Sequence, residues 1–292
     1  MRNTIREIQQ LQSDNIPIVL VTAYDAFSAR LSEAAGVPAL LVGDSLGMVV
    51  QGHELPIPVT LDDIIYHARI VTRVTTTPLV IGDMPFMSYT ISAEQALANA
   101  ARLMQEGGVG AIKLEGGEAM APTIRRLVDV GIPVMGHIGL MPQSVYKVGG
   151  LRVQGRDLET SQRLLRDAHA VEEAGAFAIV LEALPASLAQ VISDQLRIPT
   201  IGIGAGVHCD GQVQVFHDLV GLYGDFVPRH ARQYVDAGKI IQEAIKQYSD
   251  DVRSRQFPDA DHSFAMKDDI LAALLSTNSH NRTGETDDDA AD

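Results

Sequence analysis

The chain has 292 residues, of which 46% are hydrophobic and 21% charged, and its formal net charge at pH 7 is −14. This composition supports a large buried core and excludes a typical disordered chain. The acidity argues against a general affinity for nucleic acid or anionic membrane, because clustered Lys and Arg are needed to bind phosphate groups. We therefore expect a small-molecule site. The single Cys209 can form neither an internal disulfide nor a thiolate metal cluster.

Short apolar runs alternate with amphipathic runs from residue 16 to residue 250, which is typical of a parallel sheet covered by helices. The predicted strands are, in chain order, 16–22, 39–42, 79–81, 111–114, 134–135, 177–181 and 200–203, with an eighth around 213–222. Eight such units of about 30 residues favour an α/β fold of the (β/α)8 TIM barrel type. An open doubly wound sheet stays an alternative, because periodicity alone cannot show closure.

Capping residues mark the starts of several helices between these strands. Thr60 precedes an apolar-periodic run to Val74, Ser92 precedes a second run, and Glu159-Thr160 opens a third that ends at Gly175. Residues 106–115 also resemble residues 173–182, each copy being a helix end, a tight turn, a strand and a final glutamate. This repeat supports the barrel organisation.

The two ends of the chain suggest its domain organisation and location. Residues 1–15 lack the apolar stretch of a secretory signal, so a cytoplasmic location is expected, and no apolar run approaches the roughly 20 residues that cross a bilayer. From about residue 276 the composition becomes polar and acidic, which predicts a disordered tail or, alternatively, an acidic interaction tail. We predict one barrel domain over residues 1–264 and a C-terminal extension over 265–292.

Polar residues gather at the carboxyl ends of the predicted strands, where barrel enzymes carry their active sites. They are Asp44, Ser45, Asp83, Lys113, Glu115, His137 and Glu182. Glycine precedes both Asp44 and Asp83, and two carboxylates brought together there would repel each other unless a cation lay between them. Oxygen ligands favour a hard ion such as Mg²⁺. Capping of the next helix is the alternative role for Asp44.

The other candidates each allow more than one role. Lys113 and Glu115 lie two residues apart and point to the same face of a strand, so Lys113 could form a structural ion pair with Glu115. Its alternative roles are a Schiff-base nucleophile and a fixed charge that holds a substrate carboxylate. His137 could simply be a buried, hydrogen-bonded histidine. Glu182 has only apolar neighbours in the sequence, which would raise its proton affinity and suit a general base.

The motifs at these positions resemble one family, that of 3-methyl-2-oxobutanoate hydroxymethyltransferase, also called ketopantoate hydroxymethyltransferase. They are GDSLGM at 43–48, QGH at 51–53, DMPFM at 83–87, KLEGG at 113–117, GHIGL at 136–140, PQS at 142–144, VQGR at 153–156, LE at 181–182 and IGIGAG at 201–206. The resemblance extends from about residue 4 to Phe264.

The resemblance implies a barrel of the phosphoenolpyruvate mutase/isocitrate lyase type, assembled as a homodecamer of two pentameric rings, that is, a pentamer of dimers. It implies transfer of a hydroxymethyl group from 5,10-methylenetetrahydrofolate to 3-methyl-2-oxobutanoate, forming 2-dehydropantoate in pantothenate and coenzyme A biosynthesis. Neither a nucleic-acid partner nor a membrane is expected.

The family's motifs also imply roles for individual residues. Asp44 and Asp83 coordinate Mg²⁺, Glu115 contacts it through water, Ser45 and Lys113 hold the oxoacid together with the two aspartates, and Glu182 accepts the proton. Three other functions stay open: a Mg²⁺-dependent carboligase or lyase acting on another small 2-oxoacid, a Schiff-base aldolase, and a barrel that binds a metabolite without catalysis.

Overall fold

Eight parallel strands close into a barrel in the computed structural model, which describes residues 1–222 and 228–280. The strands are β1 Ile18–Thr22, β2 Ala39–Val42, β3 Leu79–Asp83, β4 Ala111–Lys113, β5 Val134–Gly139, β6 Ala178–Glu182, β7 Thr200–Ile203 and β8 Gly211–Gln214. Each strand pairs with the next, and β8 pairs with β1. The predicted barrel is confirmed, and the open doubly wound sheet is excluded.

Twelve α-helices lie within the described residues. They are α1 Ile5–Ser13, α2 Ala26–Ala34, α3 Leu46–Val49, α4 Leu61–Val74, α5 Ala93–Gly107, α6 Ala121–Asp129, α7 Val145–Val148, α8 Leu158–Glu173, α9 Ala186–Gln195, α10 Phe216–Val220, α11 Ala237–Arg253 and α12 Asp268–His280. Short 3₁₀ turns at Glu118–Met120 and Pro142–Ser144 follow β4 and β5. In residues 1–222 and 228–280, no helix has both the length and the apolarity needed to cross a bilayer.

Most predicted helix starts are correct. The Thr60 side chain accepts a hydrogen bond from the Asp63 amide in a capping box, and the Ser92 side chain accepts one from the Gln95 amide. The cap predicted at Glu159-Thr160 is wrong by two to three residues, and α8 begins at Leu158. Asp157 caps α8 by accepting from the Thr160 amide, because a short carboxylate at that position reaches the free N–H groups of the first turn.

The eighth strand was predicted too late in the chain. Strand β8 runs from Gly211 to Gln214, and residues 216–220, which lie within the predicted strand, form helix α10. Gln212 and Gln214 alternate with Gly211 and Val213 along β8, so the strand has little apolar signal of its own. The apolar residues that follow belong to the helix.

Two apolar layers fix the barrel. Inside it, Leu20, Leu41, Ile81 and Met135 belong to one buried cluster, in which Ile8 from helix α1 also takes part. Between strands and helices, a larger cluster includes Ile112 and Leu114, which therefore face outward as the sequence predicts. Consecutive residues of a strand point to opposite faces, so Lys113 is directed to the barrel interior.

The chain forms two compact units, Met1–Gly238 and Lys239–Asp292. All eight strands lie in the first, and a domain boundary at residue 264 stays a prediction. The second contains most of α11 and all of α12, whose last residues are 276–280 of the predicted tail. Residues 281–292 of that tail lie outside the described residues.

Gly139 ends β5 at the point where the chain turns toward the cavity. Its φ is 102°, and a Cβ added here would overlap the carbonyl oxygen of Glu182, the residue it pairs with on β6. The next amide, that of Leu140, donates to the same carbonyl at 2.9 Å. A glycine is therefore required if β5 is to leave the sheet beside Glu182.

We predict that Gly139→Ala lowers the free energy of unfolding by about 2 to 5 kcal/mol, because it combines backbone strain with a clash against backbone atoms. Gly36→Ala is the matched control, since Gly36 also has a positive φ of 80° but nothing lies within 4 Å of an added Cβ. The control should lose about 1 kcal/mol, the cost of strain alone. Chemical denaturation measures the free energy of unfolding of both variants. Equal losses would contradict the inferred clash between a Cβ at residue 139 and the Glu182 carbonyl.

Candidate active site

One cavity of about 550 Å³ lies at the carboxyl ends of the strands. The side chains that line it include Asp44, Ser45, Asp83, Lys113, Glu115, His137 and Glu182. The structure therefore brings all the candidate residues to one place. The closed barrel does this because it carries the ends of β2 to β6 around a common axis.

Lys113 forms a buried ion pair with Asp83. Its Nζ lies 2.8 Å from Oδ1 and 2.9 Å from Oδ2 of Asp83, and the two residues are direct partners across β3 and β4. Burial lowers the pKa of Lys113, but the charges of Asp83 and then Glu115 outweigh burial and raise the pKa above its usual value. The amine is therefore kept protonated, which disfavours a Schiff-base role and shows that Asp83, rather than Glu115, is its ion-pair partner.

The Asp44 carboxylate lies beside the Asp83 carboxylate. The Asp44 amide donates to Asp83 Oδ2 at 3.3 Å, and Asp44 Oδ2 accepts from Gln143 Nε2 at 2.8 Å. Burial, followed by the negative charge of Asp83, raises the pKa of Asp44 well above its ordinary range. Asp44 is not a helix cap, because the cap position of α3 is held by Ser45 and has no side-chain hydrogen bond.

Gln143 connects two of the site's acids. Its backbone N–H donates to Glu115 Oε2 at 3.2 Å, and its Nε2 donates both to Asp44 and to the carbonyl of Met84 at 3.0 Å. Its Oε1 accepts from the Tyr89 hydroxyl at 2.8 Å, and that hydroxyl in turn accepts from the Glu115 amide at 3.2 Å. This network fixes the orientation of both carboxylates.

His137 lies between two carboxylates. Its Nδ1 is 3.5 Å from Glu115 Oε1 and its Nε2 is 3.2 Å from Glu182 Oε2. Burial and the Lys113 charge lower the pKa of His137, but the two carboxylates more than compensate and raise it to about 9. The two carboxylates favour the imidazolium form of His137, and neither ring nitrogen has an ordinary hydrogen bond within the described residues.

The surroundings of Glu182 differ from those that the sequence predicts. The predicted purely apolar setting is wrong, because His137, which is distant in the sequence, is its nearest charged neighbour. The Glu182 side chain is still 15% exposed and faces the cavity. It is thus a carboxylate that a small molecule in the cavity can reach.

Sequence reasoning did not select three buried residues of the site: Tyr24, Tyr89 and Gln143. The Tyr24 hydroxyl lies 2.7 Å from Ser45 Oγ, in a hydrogen bond that either hydroxyl can donate. Tyr24 follows the end of β1 by two residues, so the strand-end rule could have found it. Gln143 lies within a motif quoted for the family resemblance, whereas Tyr89 lies in a loop without any local signal.

The oxygen donors of Asp44 and Asp83 fit a hard divalent cation. The charge of Asp83 already raises the pKa of Asp44, and a cation between them would relieve that repulsion. Within the described residues, no three His, Cys, Asp or Glu side chains are placed to hold a metal by themselves. Mg²⁺ usually takes one or two carboxylates and completes its coordination with water and substrate oxygens. Glu115 Oε1, buried and without a hydrogen bond, suits a more distant contact.

The closed barrel resembles the fold of a class of solved enzymes. Phosphonopyruvate hydrolase aligns with a TM-score of 0.59 and 14% identity over 98% of both chains. The 2,3-dimethylmalate lyase, described as a member of the phosphoenolpyruvate mutase/isocitrate lyase superfamily, aligns with a TM-score of 0.54 and 16% identity over 97% of this chain and 98% of the other. These similarities concern the fold, and they confirm the predicted barrel type.

Sequence comparison identifies the family within that class. Residues 2–260 match the sequence model described as ketopantoate hydroxymethyltransferase. The 3-methyl-2-oxobutanoate hydroxymethyltransferase of Chloroflexus aurantiacus is 60% identical over 94% of this chain and 97% of its own. That of Carboxydothermus hydrogenoformans is 50% identical over 94% and 99%. The chain belongs to the ketopantoate hydroxymethyltransferase family, a family of transferases, as the motifs predicted.

We predict that Gln143→Met destabilises the protein and reduces its activity. The substitution removes the amide but keeps a similar volume, so Asp44, Tyr89 and the Met84 carbonyl each lose a buried partner. The free energy of unfolding should fall by about 1 to 3 kcal/mol. Chemical denaturation and steady-state rates measure the two effects.

Gln10→Met is the control for this variant, because Gln10 is exposed and its side chain has one hydrogen bond, to Asp14. It should change stability by less than about 0.5 kcal/mol. A Gln143 variant as stable and active as this control would show that the network does not organise the site.

Proposed function

We propose that the protein transfers a hydroxymethyl group from 5,10-methylenetetrahydrofolate to 3-methyl-2-oxobutanoate and forms 2-dehydropantoate for pantothenate and coenzyme A biosynthesis. The observation that carries the proposal is the cavity itself. It brings together an accessible carboxylate, Glu182, a buried ammonium, Lys113, and a pair of carboxylates suited to Mg²⁺. Membership of the family supports the choice of substrates.

The oxoacid is bound by Lys113 and Ser45. A lysine ammonium has three N–H donors, and the single Asp83 carboxylate leaves at least one of them for a substrate oxygen. The Ser45 hydroxyl is held by Tyr24 and lies in the wall of the same cavity. A fixed ammonium and hydroxyl suit the carboxylate of a small 2-oxoacid.

Asp44 and Asp83 would hold Mg²⁺ directly, and Glu115 would contact it through water. When bound there, the ion would act as a Lewis acid on the keto oxygen of the oxoacid. Gln143 and Lys113 keep the two aspartates in position for that task. One solved neighbour of the same fold, phosphonopyruvate hydrolase, is described in complex with oxalate and Mg²⁺.

Glu182 is the general base. It takes the proton from C3 of the oxoacid, and the electron pair of that C–H bond forms the new bond to the methylene carbon of the folate. The imidazolium of His137, 3.2 Å away, orients the Glu182 carboxylate. Both bonds from that carbon to the folate nitrogens break, and water adds its hydroxyl group to the carbon. Tetrahydrofolate leaves with the proton from Glu182 on one nitrogen and the remaining proton of water on the other.

We expect Glu182→Gln to abolish exchange of the C3 proton of the oxoacid with solvent while leaving Mg²⁺ binding intact. Loss of a general base typically lowers a rate by about 10² to 10⁴-fold. Proton NMR in D₂O follows exchange, and calorimetry follows the metal. Glu159→Gln, an exposed change in the first turn of α8, is the control and should exchange normally. Unchanged exchange in the Glu182 variant would refute its role as the base.

Removal of divalent ions should stop turnover, and Mg²⁺ added back should restore it. The reason is that the Asp44 and Asp83 carboxylates alone cannot supply the positive charge that polarises the keto group. An NMR assay of 2-dehydropantoate formation from both substrates, with and without a chelator, measures this. Full activity in the chelator would contradict the metal's role. Binding of the oxoacid without any turnover would instead favour the non-catalytic barrel.

The family resemblance also supports a homodecamer, built as a pentamer of dimers, that acts in the cytoplasm. Both stay proposals. Equilibrium sedimentation is the measurement that addresses the first.

A further inference from the structure

The cavity has a second polar wall, formed where β8 passes into α10. Gln214 is the last residue of β8 and Asp218 lies in α10, and both line the same cavity as the acids described above. We call these two residues the β8 wall. Neither residue has a role in the chemistry proposed above.

The β8 wall presents hydrogen-bond acceptors that have no donor among the residues that the structure describes. Gln214 Oε1 is buried and has no hydrogen-bond partner, while its Nε2 donates to the carbonyl of His230 at 3.3 Å. Because that carbonyl can only accept, it fixes the orientation of the amide and leaves Oε1 as the end without a partner. Asp218 is 9% exposed, and no hydrogen bond to its carboxylate is found within the described residues. Burial raises the pKa of Asp218, although the charge of His230 opposes this.

Contacts with β1 hold the β8 wall close to the oxoacid end of the cavity. The Phe216 amide donates to Thr22 Oγ1 at 2.9 Å, and the ring of His217 lies 5.6 Å from that of Tyr24. Tyr24 is in turn hydrogen-bonded to Ser45. Burial raises the pKa of Tyr24, and the charges of Asp44 and Asp218 both add to this effect, so Tyr24 lies within electrostatic reach of both acids.

The oxoacid cannot satisfy these acceptors. At neutral pH a 2-oxoacid presents a carboxylate and a keto oxygen, which accept hydrogen bonds and donate none. It is also small beside a cavity of about 550 Å³. A ligand that completes the β8 wall must therefore carry hydrogen-bond donors, and the cavity has room for one larger than the oxoacid.

We propose that the β8 wall binds the amino-pyrimidine edge of the folate's pterin ring, whose ring N–H and exocyclic amine donate to Asp218 and to Gln214 Oε1. This assignment rests on the proposed function. The proposed reaction has two substrates, and only the folate carries such donors. A carboxylate that accepts two parallel N–H bonds gives affinity and fixes orientation together. Apolar side chains of the same cavity, including Met48, Val153 and Val215, can cover the faces of a flat ring.

Two arginines suit the other end of the same molecule. Arg152 and Arg229 line the cavity and are exposed, so they lie where it opens to solvent. Their guanidinium groups match the carboxylates of the folate's glutamate tail. The folate would then lie with its ring inside and its tail outside.

The test uses Asp218→Asn and Gln214→Leu in the full-length protein. Loss of hydrogen bonds to a charged group should raise the KM for methylenetetrahydrofolate about 10- to 100-fold in the Asp218 variant. Calorimetric binding of tetrahydrofolate should weaken to a similar extent. The KM for the oxoacid and its C3 proton exchange in the absence of folate should stay within about twofold of the wild type. Asp194→Asn, the same charge change at an exposed position of α9, should alter neither.

The outcomes separate this proposal from the function on which it rests. Wild-type protein that does not exchange the C3 proton overturns the proposed function, and the assignment of the β8 wall with it. Suppose that the C3 proton exchanges normally and that neither variant changes the KM for the folate or the binding of tetrahydrofolate. This result overturns only the assignment of the β8 wall to the folate. Equal losses of folate and oxoacid binding, with a lowered melting temperature in both variants, would assign the wall a structural role and also overturn the proposal.

Discussion

Lys113 and Asp83 form a buried ion pair on which the whole site depends. Both side chains are at most 5% exposed, and either charge alone would be expensive to bury at this depth. Loss of one partner of such a pair typically costs about 3 to 5 kcal/mol, because the other is left uncompensated. The pair is therefore both a structural requirement and the reason why a permanent positive charge is present where an oxoacid would bind.

Acidic side chains outnumber basic ones around this ion pair. Asp44, Asp83 and Glu115 are buried near one lysine, and His137 adds a second positive charge only when protonated. A site with more buried acids than bases attracts a cation. The raised pKa of Asp44 has the same cause, since the neighbouring Asp83 carboxylate disfavours a second negative charge. The overall net charge of −14 says nothing of this, since the acids that matter are hidden from solvent.

Different strands of the barrel supply the donors proposed for the oxoacid and the acceptors of the β8 wall. The donors are the Lys113 ammonium at the end of β4 and the Ser45 hydroxyl after β2, whereas the β8 wall offers the acceptors of Gln214 and Asp218. A ligand made of oxygen acceptors and a ligand edged with N–H donors would therefore bind to different groups of the same cavity. Such a division suits an enzyme that must join two unlike substrates within one cavity.

The sequence by itself determined seven of the eight strands to within a few residues, the caps at Thr60 and Ser92, the family, and a set of strand-end residues that proved to share one cavity. These features are local, since apolar periodicity and capping are properties of neighbouring residues. Only the tertiary structure decided that Lys113 pairs with Asp83, that His137 lies beside Glu182, and that Gln143 joins Asp44 to Glu115. These pairings join different strands and loops, so they exist only once the barrel has closed, and no local pattern encodes them.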